Sequence, residues 1–146
     1  MRTLFIVATS IFLLSCAAFD ENKIVSPYEN YKLYLEALKV KDYNSAASML
    51  SLKSKNQFTV DKDFNDIFPF FSSIDTVVTN ETTHYQKTFG SKSCLTVNGF
   101  NSLGEPTSLN FELINENSSW KFSYVQMMYH DSQDEFPSSV NCPPKP

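Results

Sequence analysis

The stretch from Ser108 to Tyr124 is the most informative part of the chain, and its sequence is SLNFELINENSSWKFSY. Apolar and polar residues alternate as far as Ile114, which is typical of a strand with one buried face. The alternation resumes at Trp120 after the turn-forming residues 115–118, Asn-Glu-Asn-Ser. This pattern predicts two antiparallel strands joined by a hairpin turn.

The apolar residues of this hairpin are expected to share one face of the sheet. They are Leu109, Phe111, Trp120, Phe122 and Tyr124. Such a face either lines a ligand pocket or fills the core beneath helices, and core is the default in a small domain that must cover its sheet. These five residues are candidate pocket-lining residues, with a core role as the alternative.

Helices are predicted before the strands. Residues 26–29, Ser-Pro-Tyr-Glu, combine an N-cap serine, a proline at the first helical position and a glutamate three residues after the cap. Asp42 can cap a second helix, and a third short helix is predicted near residues 60–68. From Ile74 onward the period changes to two, which indicates about four antiparallel strands in a meander. Helices followed by strands predict an α+β fold with the helices on one sheet face.

The first residues are predicted to form a secretory signal. A positive start, Met1-Arg2, precedes an almost wholly apolar run from Leu4 to Leu14. As a helix rising ~1.5 Å per residue, this run spans roughly half of a ~30 Å hydrocarbon core. It is therefore too short for a transmembrane helix and fits an export signal.

The end of this signal, Leu13-Leu14-Ser15-Cys16, resembles the lipobox of bacterial lipoproteins. The resemblance implies that residues 1–15 are cleaved off and that the Cys16 thiol is lipidated. Because Ala17 follows in place of aspartate, it also implies an outer-membrane location facing the periplasm. The alternative is ordinary cleavage after Ala18, which would release a secreted or soluble periplasmic protein.

Cys94 and Cys142 are predicted to form a disulfide. Both routes of export place them in an oxidising compartment, where two thiols more often pair than stay free. Closing a loop of this length would constrain the unfolded chain by about 4 kcal/mol in the entropy model. The bond would fasten the Pro-rich C-terminal tail, residues 131–146, to the sheet. Two free, separated thiols are the alternative.

The composition excludes several classes of function. From Cys16 onward the chain has eleven lysines, no arginine and sixteen acidic residues, a formal charge of −5. Nucleic acid is not an expected partner, since phosphate neutralisation supplies most of that binding energy. The sequence has no CxxC, HxxxH or HExxH spacing, no Gly-x-Ser-x-Gly elbow and no phosphate-binding glycine loop. Neither a metal nor a cofactor is expected.

His84 is the candidate catalytic residue. It lies in Thr82-Thr83-His84-Tyr85 on the predicted first strand. A neutral imidazole can act as a base near pH 7, whereas a lone histidine on a strand is more often a half-exposed polar residue. Enzymatic activity is left open, and a non-enzymatic role is favoured.

The helix pair containing residues 37–43 and Ala46-Ala47, followed by strands ending in Ser119-Trp120-Lys121-Phe122, resembles the NTF2-like (cystatin-like, cone-shaped) superfamily. The resemblance covers residues 26–130, after a tether at residues 16–25. It implies a curved sheet wrapped around the first helix, with a pocket between them. That superfamily includes isomerases, dehydratases, transport adaptors and members without known activity, so the fold alone assigns no function.

These observations together predict an envelope-anchored bacterial lipoprotein without enzymatic activity. It would bind the membrane through its lipid and recognise a partner protein or a small apolar ligand. Two alternatives are an isomerase or dehydratase that uses His84 as a base, and a periplasmic immunity or inhibitor protein, for which acidity and small size are permissive.

Overall fold

The computed structural model describes residues 25–52 and 69–144, which form an α+β domain as predicted. Its helices are α1 (Pro27–Lys39), α2 (Tyr43–Ser48), α3 (Pro69–Ser72) and α4 (Ile74–Val77), with a 3-10 turn at Gln133–Glu135. Its strands are β1 (Asn80–Phe89), β2 (Lys92–Phe100), β3 (Pro106–Glu116) and β4 (Ser119–Tyr129). The strands form one antiparallel sheet in the order β1-β2-β3-β4, which confirms the meander.

Three features predicted from the sequence lie outside the described residues. They are the lipobox with Cys16, the tether up to residue 24 and the helix near residues 60–68. Among the residues that are described, no helix is long and apolar enough to cross a membrane.

The predicted caps of the first two helices are both present. The Ser26 hydroxyl accepts a hydrogen bond from the Glu29 amide (3.1 Å), and the Glu29 carboxylate accepts one from the Ser26 amide (2.9 Å). The Asp42 carboxylate accepts hydrogen bonds from the Ser45 hydroxyl and amide. These two bonds hold the pKa of the Asp42 carboxyl below its usual value.

The core lies between α1 and the sheet and is built on aromatic rings. Tyr31 packs against Phe111 at a centroid distance of 5.3 Å, and Tyr34 packs against Phe122 at 5.2 Å. All four side chains are buried. Burial raises the pKa of both tyrosines, and the Tyr34 hydroxyl donates a hydrogen bond to the Phe71 carbonyl (3.0 Å). The helix is thereby held to the sheet by tilted and edge-to-face ring contacts.

The expectation that all five apolar hairpin residues share one face is wrong for Tyr124. Glu112 lies opposite Tyr124 while Leu113 lies opposite Phe122, so Ser123 is an extra residue in β4. This bulge turns Tyr124 to the other face of the sheet, where it is 38% exposed. The remaining four, Leu109, Phe111, Trp120 and Phe122, belong to the buried core. Their role in lining a pocket stays a prediction.

The C-terminal tail crosses the face of the sheet opposite α1. The predicted disulfide between Cys94 and Cys142 is present, with the two Cα atoms 5.2 Å apart. The Asn98 amide donates to the Pro137 carbonyl (2.9 Å), and the Asn141 backbone amide donates to the Thr96 hydroxyl (2.8 Å). The tail and α1 therefore cover β2 from both sides.

Candidate functional site

Among the described residues, β1 is the most exposed strand of the sheet. Eight of its ten positions are exposed, whereas seven of the nine positions of β2 are buried. Within the ranges 25–52 and 69–144, β1 pairs with β2 alone and so forms an edge of the sheet. The unpaired backbone donors and acceptors of an edge strand can pair with another chain.

The opposite edge of the sheet is partly covered by the chain itself. The segment after α2 runs along β4, where the Ser51 amide donates to the Phe122 carbonyl (2.9 Å). The Phe122 amide in turn donates to the Met49 carbonyl (2.9 Å). The two edges therefore differ. Hydrogen bonds to the segment after α2 occupy backbone groups of β4, whereas no described segment bonds to the outer backbone groups of β1.

A β-bulge near the start of β1 determines which side chains meet. Glu81 lies opposite Gly99, whereas Thr83 lies opposite Asn98, so Thr82 is an extra residue. In a regular strand, residues three apart point to opposite faces. The extra residue restores a common face for Glu81 and His84, which now both point toward α1.

Gly99 makes this bulge possible. A Cβ atom at that position would meet the Asn80 carbonyl oxygen and would lie 2.7 Å from Val78 Cγ1 and 2.9 Å from Glu81 Cα. Since two of these three contacts are with backbone, they cannot be relieved by moving a flexible side chain. Only glycine allows β1 to approach β2 this closely.

The bulge brings together Tyr28, Glu81 and His84, which we call the edge cluster. The Tyr28 hydroxyl donates to Glu81 Oε1 (2.7 Å), and His84 Nδ1 lies 3.0 Å from the same oxygen. The rings of Tyr28 and His84 are stacked, with centroids 3.5 Å apart and planes 7° from parallel. The Tyr28 backbone amide also donates to the Gln86 side-chain oxygen (3.0 Å). The first turn of α1 is thus fastened to β1 at several points.

The electrostatics of the edge cluster follow from the shared carboxylate. Partial burial, the hydrogen bond to Glu81 and the negative charge of Glu81 together raise the pKa of Tyr28 to about 12. A carboxylate can only accept, so a neutral His84 donates from Nδ1 and keeps Nε2 as an acceptor. The His84 side chain is 40% exposed. The edge cluster therefore holds an accessible imidazole in one tautomer and one orientation.

This arrangement can do two things chemically. A carboxylate that orients a histidine is a common support for a general base. The same pair also supports a histidine that ligates a metal, but the described residues contain no group of three or more metal-ligating side chains. The candidate catalytic residue from the sequence, His84, thus has a carboxylate partner, and the structure adds Glu81 and Tyr28 to it.

The second histidine, His130, belongs to a buried polar network. Its Nε2 lies 2.8 Å from the Ser108 hydroxyl, a pair that resembles a nucleophile and its base. However, the Ser108 proton points to Asn98 Oδ1 (2.8 Å), so His130 must be the donor. Ser108 is also completely buried. The pair therefore stabilises the interface with the tail and does not activate a nucleophile.

The sequence contained one signal of this site that could have been used. A glycine within a strand often marks a bulge or a close approach of two backbones, and Gly99 lies near the end of β2. Its cross-strand partner depends on the register, which the sequence did not define. Glu81 and Tyr28 were missed for that reason.

None of the family models, curated proteins or solved structures compared with this chain matches it.

Proposed function

We propose that this protein is an envelope-anchored, non-enzymatic lipoprotein that binds a partner protein through the edge strand β1. The observation that carries the proposal is the contrast between β1, exposed at eight of ten positions, and the covered β2 beside it. An edge of this kind binds a strand of another protein by continuing the sheet. An immunity or inhibitor protein would be one instance of such binding.

The sequence of β1 supports this mode of binding. Edge strands that avoid pairing are usually short or carry proline, several charges or a bulge. The bulge of β1 is confined to Thr82 near its start. Residues 80–89, Asn-Glu-Thr-Thr-His-Tyr-Gln-Lys-Thr-Phe, contain no proline and only two charged residues. Threonine, tyrosine and phenylalanine are also residues with high strand propensity. After the bulge, β1 is a regular strand from Thr83 to Phe89.

The edge cluster keeps this strand in a defined position. The hydrogen bonds from Tyr28 to Glu81 and Gln86 fasten β1 to the rigid helix α1. A pre-ordered strand loses less conformational entropy on binding than a mobile one. This is the role that we assign to the edge cluster within the proposed function.

A protein partner fits the structure better than a small apolar ligand. The candidate pocket-lining residues Leu109, Phe111 and Phe122 have no exposed surface and pack in the core. By contrast, Phe89 at the end of β1 is 50% exposed. Apolar contact area for a partner is therefore available at the edge strand.

Lipidation of Cys16 would supply the location. A tether of residues 16–25, at ~3.3 Å per residue, lets the domain sit up to about 33 Å from the membrane surface. Replacing the cysteine, Cys16→Ser, should move the protein out of the membrane fraction while the Cys94–Cys142 disulfide still forms. Unchanged membrane association of this variant would argue against the anchor.

Site-specific photo-crosslinking in intact cells tests the binding edge. A photo-reactive phenylalanine analogue at Phe89, on β1, should yield a discrete crosslinked product of higher mass. The matched control is the same analogue at Tyr129, an aromatic residue of β4 that is 62% exposed. A product at Phe89 and none at Tyr129 supports the proposal. Equal products at both positions, or none at Phe89, would contradict it.

A proton-transfer enzyme of the isomerase or dehydratase type is the second candidate function, because Glu81 orients His84 as it would orient a base. If a reaction is found, His84→Ala and Glu81→Gln should both lower kcat, the first by about 10²-fold or more. Full activity of His84→Ala would rule out this version.

A further inference from the structure

We infer that the partner of β1 is a second copy of this chain, joined across a two-fold axis by antiparallel pairing of the two edge strands. The inference rests on the proposed function, because it uses the same edge. Homodimers with two-fold symmetry are the commonest soluble oligomers. Pairing two copies of β1 would convert two four-stranded sheets into one sheet of eight strands.

The bulge selects one register for this pairing. A bulged residue disrupts pairing on its strand, so Thr82 limits the usable segment to Thr83–Phe89. The longest antiparallel self-pairing of that segment is centred on Gln86. It uses all seven residues of the regular part of β1.

The side chains are compatible in this register. Tyr85 lies opposite Lys87 of the other copy, Thr83 lies opposite Phe89, and His84 lies opposite Thr88. No like charges face each other. Tyr85 and Lys87 both lie on the face away from α1, where an ammonium group beside an aromatic ring is favourable. Each two-fold dimer would contain this tyrosine–lysine contact twice.

The position of α1 is compatible with anchoring both copies in one membrane. The two-fold axis would be perpendicular to the sheet, so the α1 helices of both copies lie on the same side of the joined sheet. In each copy the first turn of α1 is bonded to Gln86, the residue at the axis. The first described residues of the two copies would therefore lie close together on one side of the joined sheet. Confinement to one membrane raises the effective concentration of the two copies for each other.

The test uses the full-length lipoprotein, co-expressed in the same cells with two different epitope tags. The photo-reactive analogue is placed at Phe89 of one tagged copy, and crosslinked product is isolated through the other tag. The expected result is a product of twice the mass that carries both tags, with the crosslink mapped near Thr83. The analogue at Tyr129 is the matched control and should give no doubly tagged product.

Charge variants test the register. Tyr85→Lys places two lysines opposite each other twice per dimer and should lower the yield of doubly tagged product by about tenfold. Tyr85→Glu faces the same lysine with an opposite charge and should retain the product. The double variant Tyr85→Lys/Lys87→Glu should restore it. Formation of the Cys94–Cys142 disulfide in each variant confirms that the protein has folded.

The outcomes separate this inference from the proposed function. A product at Phe89 that carries only one tag and another protein overturns the homodimer but leaves the binding edge intact. Absence of any product at Phe89 overturns both. Equal loss of product in Tyr85→Lys and Tyr85→Glu, or no recovery in the double variant, overturns the register.

Discussion

Gly99 is the residue on which the geometry of the edge cluster depends. Gly99→Ala would force the Asn80 carbonyl and the Glu81 backbone away from β2. We expect a loss of roughly 2–3 kcal/mol in the free energy of unfolding, as for an overpacked core. Denaturant unfolding measures this loss, and amide chemical shifts of Glu81 and His84 should change with it.

The matched control for this variant is Gly90→Ala. Gly90 has a φ of +61° in the turn between β1 and β2, but a Cβ there would meet nothing within 4 Å. The loss of unfolding free energy in Gly90→Ala therefore measures backbone strain alone, which costs about 1–2 kcal/mol. A smaller loss for Gly99→Ala than for Gly90→Ala would contradict the close approach of β1 and β2.

Ser118 is a position where the natural residue is strained. Asn117 and Ser118 form the two-residue turn between β3 and β4, with φ values of +52° and +61°. Such a turn favours glycine at its second position. Ser118→Gly should raise the free energy of unfolding by about 1 kcal/mol, as measured by thermal or denaturant unfolding. Ser118→Ala should give no such gain, and a less stable glycine variant would refute the turn geometry.

At the scale of whole elements, the sequence predicts correctly those features that a few neighbouring residues determine. The capping box at Ser26, the Asp42 cap, the hairpin turn and the four-strand meander were all predicted correctly. These features depend on a few neighbouring residues and on regular periodicity.

The strand period expected from Ile74 onward is wrong for its first residues, because the helix Ile74–Val77 precedes β1. The other two shortcomings of the sequence analysis come from β-bulges. One extra residue, Ser123 in β4, reversed the face of Tyr124, and another, Thr82 in β1, joined Glu81 to His84. A shift of one residue moves every later side chain to the other face of a strand. Bulges depend on the neighbouring strand, so alternation along a single strand does not reveal them.

The contact between α1 and β1 predicts a pH dependence of stability. The pKa of Tyr28 is about 12 in the folded protein, against 10.0 for a free side chain. Between pH 10 and 12 the unfolded chain loses this proton first, so the unfolding free energy falls as pH rises. Below pH 10 the contribution of Tyr28 is fully present.

Denaturant unfolding between pH 9 and 12 checks this sign. Tyr28→Phe should flatten the decline, although Tyr31 and Tyr34, whose pKa values are also raised, will leave part of it. Tyr129→Phe, outside the edge cluster, is the matched control for the loss of one tyrosine hydroxyl. A Tyr28→Phe protein with an unchanged slope would contradict the raised pKa of Tyr28, which burial and the contact with Glu81 cause.

At the scale of the whole molecule, the disulfide makes the tail part of the domain. Cys94 and Cys142 are 48 residues apart, so the bond should stabilise the fold by about 4 kcal/mol in the chain-entropy model. The double variant Cys94→Ala/Cys142→Ala should show this loss in denaturant unfolding. A reductant should destabilise the natural protein and leave the double variant unchanged. Equal stability of the two proteins would show that the tail hydrogen bonds suffice.

The packing of the other elements determines which parts of the sheet are covered. Helix α1 and the disulfide-bonded tail both lie over the centre of the sheet, and the segment after α2 covers part of β4. Among the described residues, no segment pairs with the outer side of β1, which is left as an open edge of the sheet. Its availability for binding therefore depends on the complete chain and not on β1 alone.

Amide hydrogen exchange of the intact lipoprotein tests the central claim, the binding edge, most directly. Exchange is compared between native membranes and the purified protein at high dilution in detergent. We expect the outward-facing amides of Thr83–Phe89, those not bonded to β2, to be protected in membranes and to exchange at least tenfold faster on dilution. The amides of Thr83–Phe89 that are bonded to β2 and those of β3 should not change. Equally fast exchange of β1 in both conditions would show that nothing binds there and would contradict the account.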